Sequence, residues 1–460
     1  MKKILYFMIG MPSCYNSGIT LAKRLRDAGI EVAIACDADI SQLLSESGLE
    51  FHHLQESKNI SDALVSDVEA HGYKDRFRST IYKLKQHLKY RKQSLEAKEI
   101  LGLCDKVSPD ALLIDIEFHY AIVASRKLGI PCCLISRWFS NQRSPGVPPL
   151  HSISQPASGI LASILIDMEW MKLSVLRLRK ALVHLISIRR FSPVNYRTIS
   201  GVDLNALATT HNVSLKEEIT HRDWLIPHAY TQIPVVSLTA QEMDFPKVAT
   251  KNFHYAGPMV GSLNYAFVVD RELATRLDTF IANSQQLQQK VIYCSLGTFL
   301  QSDSRFVDSV MQLAVKRSDL AFILTLGGLS APLSQSLSGF PSNMVLVESA
   351  PQIELLKRVD AAILHAGIAS INEAISAGTL FISYSVGSND QNGCSARLTY
   401  HGLCESQHIN ALTLSNLESS VDRMLETNGC DENRQNMQQI FKNYESSDVC
   451  AQTLKSILSL

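Results

Sequence analysis

A strand, a glycine turn and a helix are predicted around His365, and their residue types suit the binding of a diphosphate. His365 is expected to close a buried strand, Ala366 and Gly367 to turn the chain, and Ser370 to start a helix with Glu373 in its first turn. A helix N-terminus presents unpaired backbone N–H groups and the positive end of the helix dipole, which attract anions. Glycine permits a close approach to the backbone, and a histidine at the strand end would add a hydrogen bond. The alternative is an ordinary turn in which Ser370 only caps the helix.

A second group of residues suited to chemistry follows the strand predicted over residues 111–115. Asp115 ends this strand, and Glu117 and His119 come two and four residues later. One of these three could act as a general base, which must lie within hydrogen-bond reach of its proton, directly or through one water. His119 is chemically the best suited near neutral pH. The alternative is that Asp115 caps the next helix and His119 is incidental.

Both halves of the chain alternate strands with helices, and this alternation determines where the groups above would lie. Strands are predicted over residues 3–8, 31–35, 111–115, 132–136, 290–295, 321–326, 344–348, 361–365 and 380–383, and helices over 19–27, 120–128 and 307–317. Such alternation implies parallel sheets covered on both faces. The predicted fold class is therefore α/β, with two doubly wound, Rossmann-like domains facing each other across a cleft. Ligands of such sheets bind beyond the carboxyl ends of the strands, which places them in the cleft.

Proline and glycine residues mark a boundary between the two halves near residues 240–265. We expect an N-terminal domain over residues 1–245 and a C-terminal domain over residues 258–440. A final helix over residues 441–460 could cross back to the N-terminal domain.

The bulk composition argues against several classes of protein. Lys+Arg and Asp+Glu both number 44, so the neutral chain gives no electrostatic reason to expect a nucleic-acid partner. The ten cysteines lack zinc spacing, and no other metal-ligand cluster is visible. Because no export signal is identified, we expect the cysteines to be reduced thiols in a cytoplasmic protein. Residues 3–8 are interpreted as a buried strand rather than part of a signal peptide. Charged residues interrupt the apolar stretch 159–188, so we do not expect a transmembrane helix.

Ordered motifs in the C-terminal half resemble the donor-binding signature of family 1 glycosyltransferases. In chain order, they are FHYAGPM (253–259), VIYCSLGTF (291–299), PQIELLK (351–357), HAGIASINEA (365–374) and SNDQ (388–391). This family comprises UDP-sugar-dependent enzymes of the GT-B fold, including plant secondary-product and bacterial macrolide-type members. The resemblance implies that fold and a nucleotide-sugar co-substrate, with no cofactor and no bound metal.

The resemblance also assigns roles in donor binding, position by position. Gln352 would contact the base, Glu373 the ribose hydroxyls and His365 the diphosphate, each a chemically suitable pairing. Backbone groups from Gly367 to Ser370 would add to the diphosphate site. The wall of the same pocket would be formed by Ser295, Gly297 and Thr298. The hydroxyls of the transferred sugar would be bound by Asp390 and Gln391.

Two positions depart from the donor signature of plant members. Ser349 stands where they carry a tryptophan that stacks on uracil, and Ile368 replaces another tryptophan, as in many bacterial members. UDP is the default nucleotide of the family. Because these tryptophans are absent, TDP is the alternative.

The main departure lies in the N-terminal half, which resembles the acceptor domain of the family. Cys14 occupies the position of the catalytic histidine, and Asp115 that of the aspartate that orients it. We therefore expect the base among Asp115, Glu117 and His119. The alternative is an acceptor that needs no base, such as a carboxylate or a phosphate.

Residues 139–190, a proline-rich loop followed by an apolar helical stretch, correspond to the acceptor-pocket region of this architecture. A small, rather apolar acceptor, aromatic or lipid-like, would contact the residues Cys14, Asn16, Trp138, Phe139 and Trp170. The alternative is that these helices pack on the core of their own domain. A basic amphipathic face in this stretch would allow a peripheral membrane contact, although none is expected.

The function that follows is an inverting glycosyltransferase that moves a hexose from a nucleotide donor to a small acceptor. One alternative is a nucleotide-sugar epimerase of similar fold, which would not need the apolar segment. The other is a binding protein that retained the donor site and lost its base with the replacement by Cys14.

Overall fold

The chain folds around two parallel β-sheets, each covered by helices. The computed structural model describes residues 2–56, 89, 92–140, 142–186, 201–215, 219–220, 229–247, 252–261, 271–295, 297, 304–325, 341–387, 390–426 and 431–459.

Seven parallel strands form the first sheet. They are β1 (Lys3–Met8), β2 (Glu31–Cys36), β3 (Glu50–His53), β4 (Ala111–Asp115), β5 (Cys132–Ser136), β8 (Val235–Ser237) and β9 (Phe253–Tyr255). Their order in the sheet is β3-β2-β1-β4-β5-β8-β9, and every neighbouring pair is parallel. A separate antiparallel pair joins β6 (Ile219–Thr220) and β7 (Ala229–Tyr230). The predicted first, third and fourth strands are confirmed with their bounds, because each is a continuous run of buried residues that a sheet covered on both faces requires.

Six helices of the first half are described. They are α1 (Pro12–Asp27), α2 (Ser41–Leu44), α3 (Lys98–Val107), α4 (His119–Leu128), α5 (Ile160–Ile186) and α6 (Gly201–Thr210). Helix α1 begins seven residues before the predicted start at residue 19. The fixed backbone angle of proline suits the first helical position, and Pro12 occupies it. Cys14 therefore lies in the first turn of this helix, ahead of the predicted start.

The second half forms a six-stranded parallel sheet in the order β12-β11-β10-β13-β14-β15. Its strands are β10 (Lys290–Ser295), β11 (Leu320–Thr325), β12 (Met344–Val347), β13 (Ala361–Leu364), β14 (Leu380–Ser385) and β15 (Ser406–His408). Its helices are α7 (Arg271–Gln286), α8 (Ser304–Lys316), α9 (Gln352–Leu356), α10 (Ile368–Ala377), α11 (Gln391–Tyr400), α12 (Leu414–Glu426) and α13 (Asp431–Ser446). All five predicted strands are present within two residues at each end.

The start of helix α10 differs from the prediction. The helix begins at Ile368, because Gly367 adopts an extended backbone at the N-cap position. Ser370 therefore lies inside the helix rather than starting it, and Glu373 lies beyond the first turn. The prediction that Ser370 starts the helix, and the alternative that it caps the helix, were both wrong.

Each sheet reverses its strand order at one place. In the first sheet β1 lies between β2 and β4. Strands β2 and β3 are added on one side of β1, and the later strands are added on the other side. In the second sheet β10 lies between β11 and β13 in the same way. The connections that follow such neighbouring strands diverge above and below the sheet and leave a crevice at the carboxyl ends.

The last helix, α14 (Val449–Leu458), follows α13 and packs against α1 and β5 of the first sheet. Leu454 is fully buried in the apolar cluster that includes strands β1 and β2. Within the described residues, none of the helices combines the length and apolar character needed to cross a lipid bilayer.

Candidate active site

A cavity of about 840 Å³ lies where the carboxyl ends of the two sheets face each other. Its walls include the chain after β1, after β4, after β10 and after β13, the two pairs of strands at which the strand order reverses. The connection between the halves contributes residues 259–261, and the N-terminal half contributes Met11, Pro12, Ser13, Cys14, Asn16, Ser17, Glu117, Arg137, Trp138 and Leu238. The remaining lining residues belong to the C-terminal half. One cavity thus collects groups from both halves of the chain.

The imidazole of His365 lies between two glycines at the carboxyl ends of β10 and β13. A Cβ atom at Gly297 or at Gly367 would overlap the ring, so both positions require glycine in this arrangement. Gly297 also has a φ of +77°, which side chains other than glycine rarely adopt. The backbone N–H of His365 donates to the carbonyl of Ser295 over 3.1 Å.

His365 is suited to meet an anion as a neutral hydrogen-bonding group. Its buried Nδ1 has no hydrogen-bond partner within the described part of the chain. Burial lowers the pKa of His365 to about 4, against the smaller opposing effect of the hydrogen bond to Ser295. The ring is therefore uncharged at neutral pH and can donate one N–H. It lies beside the N-terminus of α10, where Gly367 and Ser370 also line the cavity.

A hydrogen-bonded group of side chains lies next to this helix. The hydroxyl of Tyr293 donates to Gln352 Oε1 over 3.2 Å. The amide nitrogen of Gln352 donates to Ser370 Oγ over 3.1 Å and to Glu373 Oε2 over 2.5 Å. Burial raises the pKa of Glu373 to about 7, although the bond from Gln352 opposes this effect. The four groups form a polar wall that can read hydroxyls and an amide edge.

Asp390 and Gln391 lie at the N-terminus of α11 and line the same cavity. The side-chain oxygen of Gln391 accepts from the backbone N–H of Val386 over 3.1 Å, which leaves its amide nitrogen for another partner. Burial raises the pKa of Asp390 to about 6, and the charge of Arg137 from the N-terminal half acts in the opposite direction.

The wall from the N-terminal half is organised by an ion pair between Arg137 and Asp115. Both side chains are at least nine-tenths buried, and Arg137 Nη1 donates to Asp115 Oδ2. The other carboxylate oxygen accepts from the backbone N–H of Glu117 over 3.2 Å. Asp115 does not line the cavity, whereas Arg137 and Glu117 do. Asp115 therefore orients these two residues from behind.

Cys14 lines the cavity beside this ion pair but is not a base. Burial raises the pKa of its thiol to about 12, and the effect of burial exceeds that of the Arg137 charge, which lowers it. The group is thus a protonated thiol at neutral pH. Asn16, two residues further along α1, also lines the cavity.

Three residues predicted for the catalytic or acceptor site lie elsewhere. His119 is buried, and its Nδ1 lies 2.8 Å from the hydroxyl of Tyr230. Phe139 is fully buried with Arg397 over its ring. Trp170 of α5 is buried beside Ile166 and Leu173 and donates its Nε1–H to the carbonyl of Val147 over 3.0 Å. None of them lines the cavity. His119 and Trp170 are buried within the N-terminal half, as the alternative interpretation held for the helical stretch, whereas Phe139 packs in the apolar cluster of the C-terminal half.

Apart from Asp115, which lies behind the cavity wall, the other predicted positions come together, with one outside the described residues. Cys14, Asn16, Glu117 and Trp138 face the cavity from one half, and Ser295, Gly297, Gln352, His365, Gly367, Ser370, Glu373, Asp390 and Gln391 from the other. Thr298 lies outside the described residues. No group of three or more His, Cys, Asp or Glu side chains within the described ranges could hold a metal ion.

Three polar residues of the cavity wall were not predicted from the sequence, namely Arg137, Tyr293 and Asn372. All three line the cavity, and the buried Oδ1 of Asn372 has no hydrogen-bond partner among the described residues. The positions of Arg137 and Tyr293 could have indicated a site, because Arg137 directly follows a predicted buried strand and Tyr293 lies inside one.

Comparisons with known proteins agree with this architecture. Among solved structures, the kitacinnamycin glycotransferase matches with a TM-score of 0.65 and 15% identity, over 99% of this chain and 98% of that one. The spinosyn forosaminyltransferase SpnP matches with a TM-score of 0.60 and 14% identity, over the full length of both chains. The glycosyltransferase VinC, solved in complex with dTDP, has a TM-score of 0.59 and 17% identity, over 99% and 98%. No curated protein sequence matches the chain.

A protein-family model also matches the chain and identifies its family. The model described as UDP-glucoronosyl and UDP-glucosyl transferase matches residues 53–446, which cover most of both halves and every motif quoted above. The chain therefore belongs to the UDP-glucoronosyl and UDP-glucosyl transferase family and is a sugar-transferring enzyme of GT-B fold.

Proposed function

We propose that this enzyme is an inverting transferase that moves a hexose from a nucleotide donor, by default UDP-linked, to a small and rather apolar acceptor. The observation that carries the proposal is the single cavity in which Glu373, His365 and Asp390 of the C-terminal half face Glu117 of the N-terminal half. Family membership favours sugar transfer over the epimerase alternative. We assign donor binding to residues 258–440 and acceptor binding to residues 1–245, with residues 441–460 returning to the first sheet.

The donor would lie along the polar wall of the second sheet. Glu373 would accept the ribose hydroxyls and Gln352 would read the base edge. The diphosphate would lie at the N-terminus of α10, within reach of the His365 N–H. Helix α10 and His365, rather than a metal ion or a cofactor, are proposed to carry the negative charge of the leaving diphosphate. Asp390 and the amide nitrogen of Gln391 would take the sugar hydroxyls.

Glu117 is proposed as the general base. Of the three candidates, it is the one that lines the cavity, whereas Asp115 is held by Arg137 and His119 by Tyr230. In the proposed step, Glu117 takes the proton of an acceptor hydroxyl, and the oxygen attacks the anomeric carbon. The bond from that carbon to the diphosphate oxygen breaks, and the nucleoside diphosphate leaves from the opposite face. A carboxylate within hydrogen-bond reach suffices for this transfer.

The acceptor would contact the apolar part of the cavity wall, which includes Met11, Trp138, Leu238 and Met259. The similar structures are transferases named for kitacinnamycin and spinosyn, which supports a natural-product acceptor. Apolar surface with a few placed polar groups is typical of small-molecule sites.

The experiment is a binding and hydrolysis panel of UDP- and TDP-sugars. We expect one UDP-sugar to bind tighter than about 1 mM, which corresponds to some 4 kcal/mol, and to be hydrolysed slowly without acceptor. Tighter binding of a TDP-sugar would replace the nucleotide assignment and keep the transferase. Binding without transfer or hydrolysis would favour a binding protein. If no nucleotide sugar binds, the donor-site assignment is wrong.

A further inference from the structure

Helix α5 presents an apolar stripe to solvent on the face opposite its buried side. The buried side consists of Ile166, Trp170 and Leu173, which pack together. On the other side, Ile160 and Leu161 are 83% and 80% exposed. The full set of exposed large apolar side chains on this helix, called the α5 stripe below, is Ile160, Leu161, Ile164, Leu165, Met168, Met171, Val175 and Leu176.

The α5 stripe follows helical spacing. Its members recur every three or four residues from Ile160 to Val175, which places them on one continuous face. Scattered exposed apolar residues are normal on a protein surface, but a contiguous patch usually marks an interaction site. Nothing in the described part of the chain covers this one, since its members are all about half or more exposed.

The charges on the helix favour an anionic partner. Lys172 and Arg179 are exposed and follow Met168 and Val175 by four residues each, so they lie on the stripe itself. Of the two acidic residues in the same stretch, Asp167 is paired with an arginine and Glu169 is half-buried. Asp167 accepts from Arg143 over 2.6 Å, and Glu169 accepts from the hydroxyl of Ser154 over 2.6 Å.

The size of the stripe argues against a second copy of the chain as its partner. From Ile160 to Leu176 the stripe is about 24 Å long and about 10 Å wide at helical dimensions. This footprint of about 240 Å² is well below the ~800 Å² per partner of a specific protein interface. A second copy would also bring the same basic residues to the contact.

We propose that helix α5 lies on an anionic lipid surface, with the α5 stripe in the interfacial region and Lys172 and Arg179 at the headgroups. An apolar helix face with basic residues inserts in this way without crossing the bilayer, and its binding grows with buried apolar area and with anionic lipid. The proposal concerns a surface outside the cavity and does not depend on the donor or the acceptor.

The test is flotation of the full chain with vesicles of phosphatidylcholine, with and without phosphatidylglycerol. We expect the wild type to float with the anionic vesicles. Combined Leu161→Gln and Leu165→Gln changes should weaken this binding about tenfold. Combined Lys172→Glu and Arg179→Glu changes should remove the preference for phosphatidylglycerol. The control is Val315→Gln on helix α8, whose side chain is 75% exposed and which should bind as the wild type does.

Circular dichroism and thermal unfolding would establish that each variant remains folded. Failure of the wild type to float with anionic vesicles would overturn the proposal, as would equal binding by the folded Leu161→Gln, Leu165→Gln variant. A concentration-dependent dimer that this variant abolishes, in a protein that binds no vesicles, would identify a second copy as the partner instead.

Discussion

Arg397 of α11 and Asp244 of the N-terminal half form a buried ion pair, with Nη2 and Oδ1 2.6 Å apart and both side chains at most 2% exposed. The guanidinium lies over the rings of Phe139 and Phe245, 4.6 and 4.2 Å from their centres. Gln391, at the start of the same helix, lines the cavity. The pair therefore ties α11, the helix that begins with Gln391, to the opposite half of the enzyme.

Replacing Arg397 with Met should lower the free energy of unfolding by about 3 kcal/mol, because the buried Asp244 carboxylate loses one of its two cations and keeps only Lys247. Urea denaturation measures this effect. The matched control is Arg358→Met, which removes an exposed pair with Asp278 and should cost at most about 1 kcal/mol. Similar losses in the two variants would contradict the role assigned to the buried pair.

Replacing Gly367 with Ala should weaken UDP-sugar binding about tenfold, because the added Cβ overlaps the His365 imidazole and displaces it. Calorimetric titration measures the affinity. The same change in a His365→Ala background should have a much smaller effect, since the displaced group is then absent. Gly102→Ala is the control, because a Cβ there meets nothing within 4 Å. An equal loss with and without His365 would show that the glycine acts through something other than the imidazole.

The affinity for UDP-glucose should rise as the pH increases through about 7. Burial raises the pKa of Glu373 to about 7, and its ionised form is the better acceptor for ribose hydroxyls. UDP-glucose is the suitable probe because its esterified diphosphate does not titrate in this range. Titrations between pH 5.5 and 8.5 should show this rise in the wild type and lose it in Glu373→Gln. A rise that persists in Glu373→Gln would assign the titration to another group, and Asp390→Asn would then be tested.

The same carboxyl should affect the stability of the free enzyme in the opposite direction. Its pKa is raised from 4.5 to about 7 on folding, so the folded state binds the proton more tightly than the unfolded state. This stabilising contribution is fully present below about pH 4.5 and is lost as the pH rises through about 7. Without nucleotide, Glu373→Gln should therefore gain stability relative to the wild type as the pH rises across this window, as measured by urea denaturation. A constant difference between the two proteins would contradict the raised pKa.

Replacing Glu117 with Gln should lower the rate of sugar transfer by about 10²–10⁴-fold, the usual contribution of a general base, while donor affinity stays unchanged. Single-turnover assays separate the two quantities. His119→Ala, whose side chain lies off the cavity, should leave the transfer rate per folded molecule near that of the wild type. Asp115→Asn should fall between them, because Asp115 orients Glu117 and Arg137 without lining the cavity. A transfer rate that depends on His119 and not on Glu117 would overturn the assignment of the base.

The sequence alone determined the fold class, most strand bounds and several of the residues that line the cavity from the C-terminal half. Strands β4 and β10 each contain a continuous apolar run. Such a run is typical of a strand that is buried on both faces of a parallel sheet. The positions of the residues proposed to bind the diphosphate and the ribose were predictable because they follow one another locally, from the end of a strand through a turn into a helix. His365, Gly367 and Glu373 lie near one another in any chain that folds this way.

Tertiary structure decided which of the residues near Asp115 face the cavity. The sequence pattern does not distinguish Asp115, Glu117 and His119 as candidates for the base. In the structure Asp115 pairs with Arg137, which follows the next strand, and His119 contacts Tyr230, more than a hundred residues away. Phe139 and Trp170 were plausible acceptor contacts because an apolar residue suits a pocket and a core equally well. Residue type and spacing specify that a side chain is buried, whereas only the packing of distant elements specifies what it is buried against.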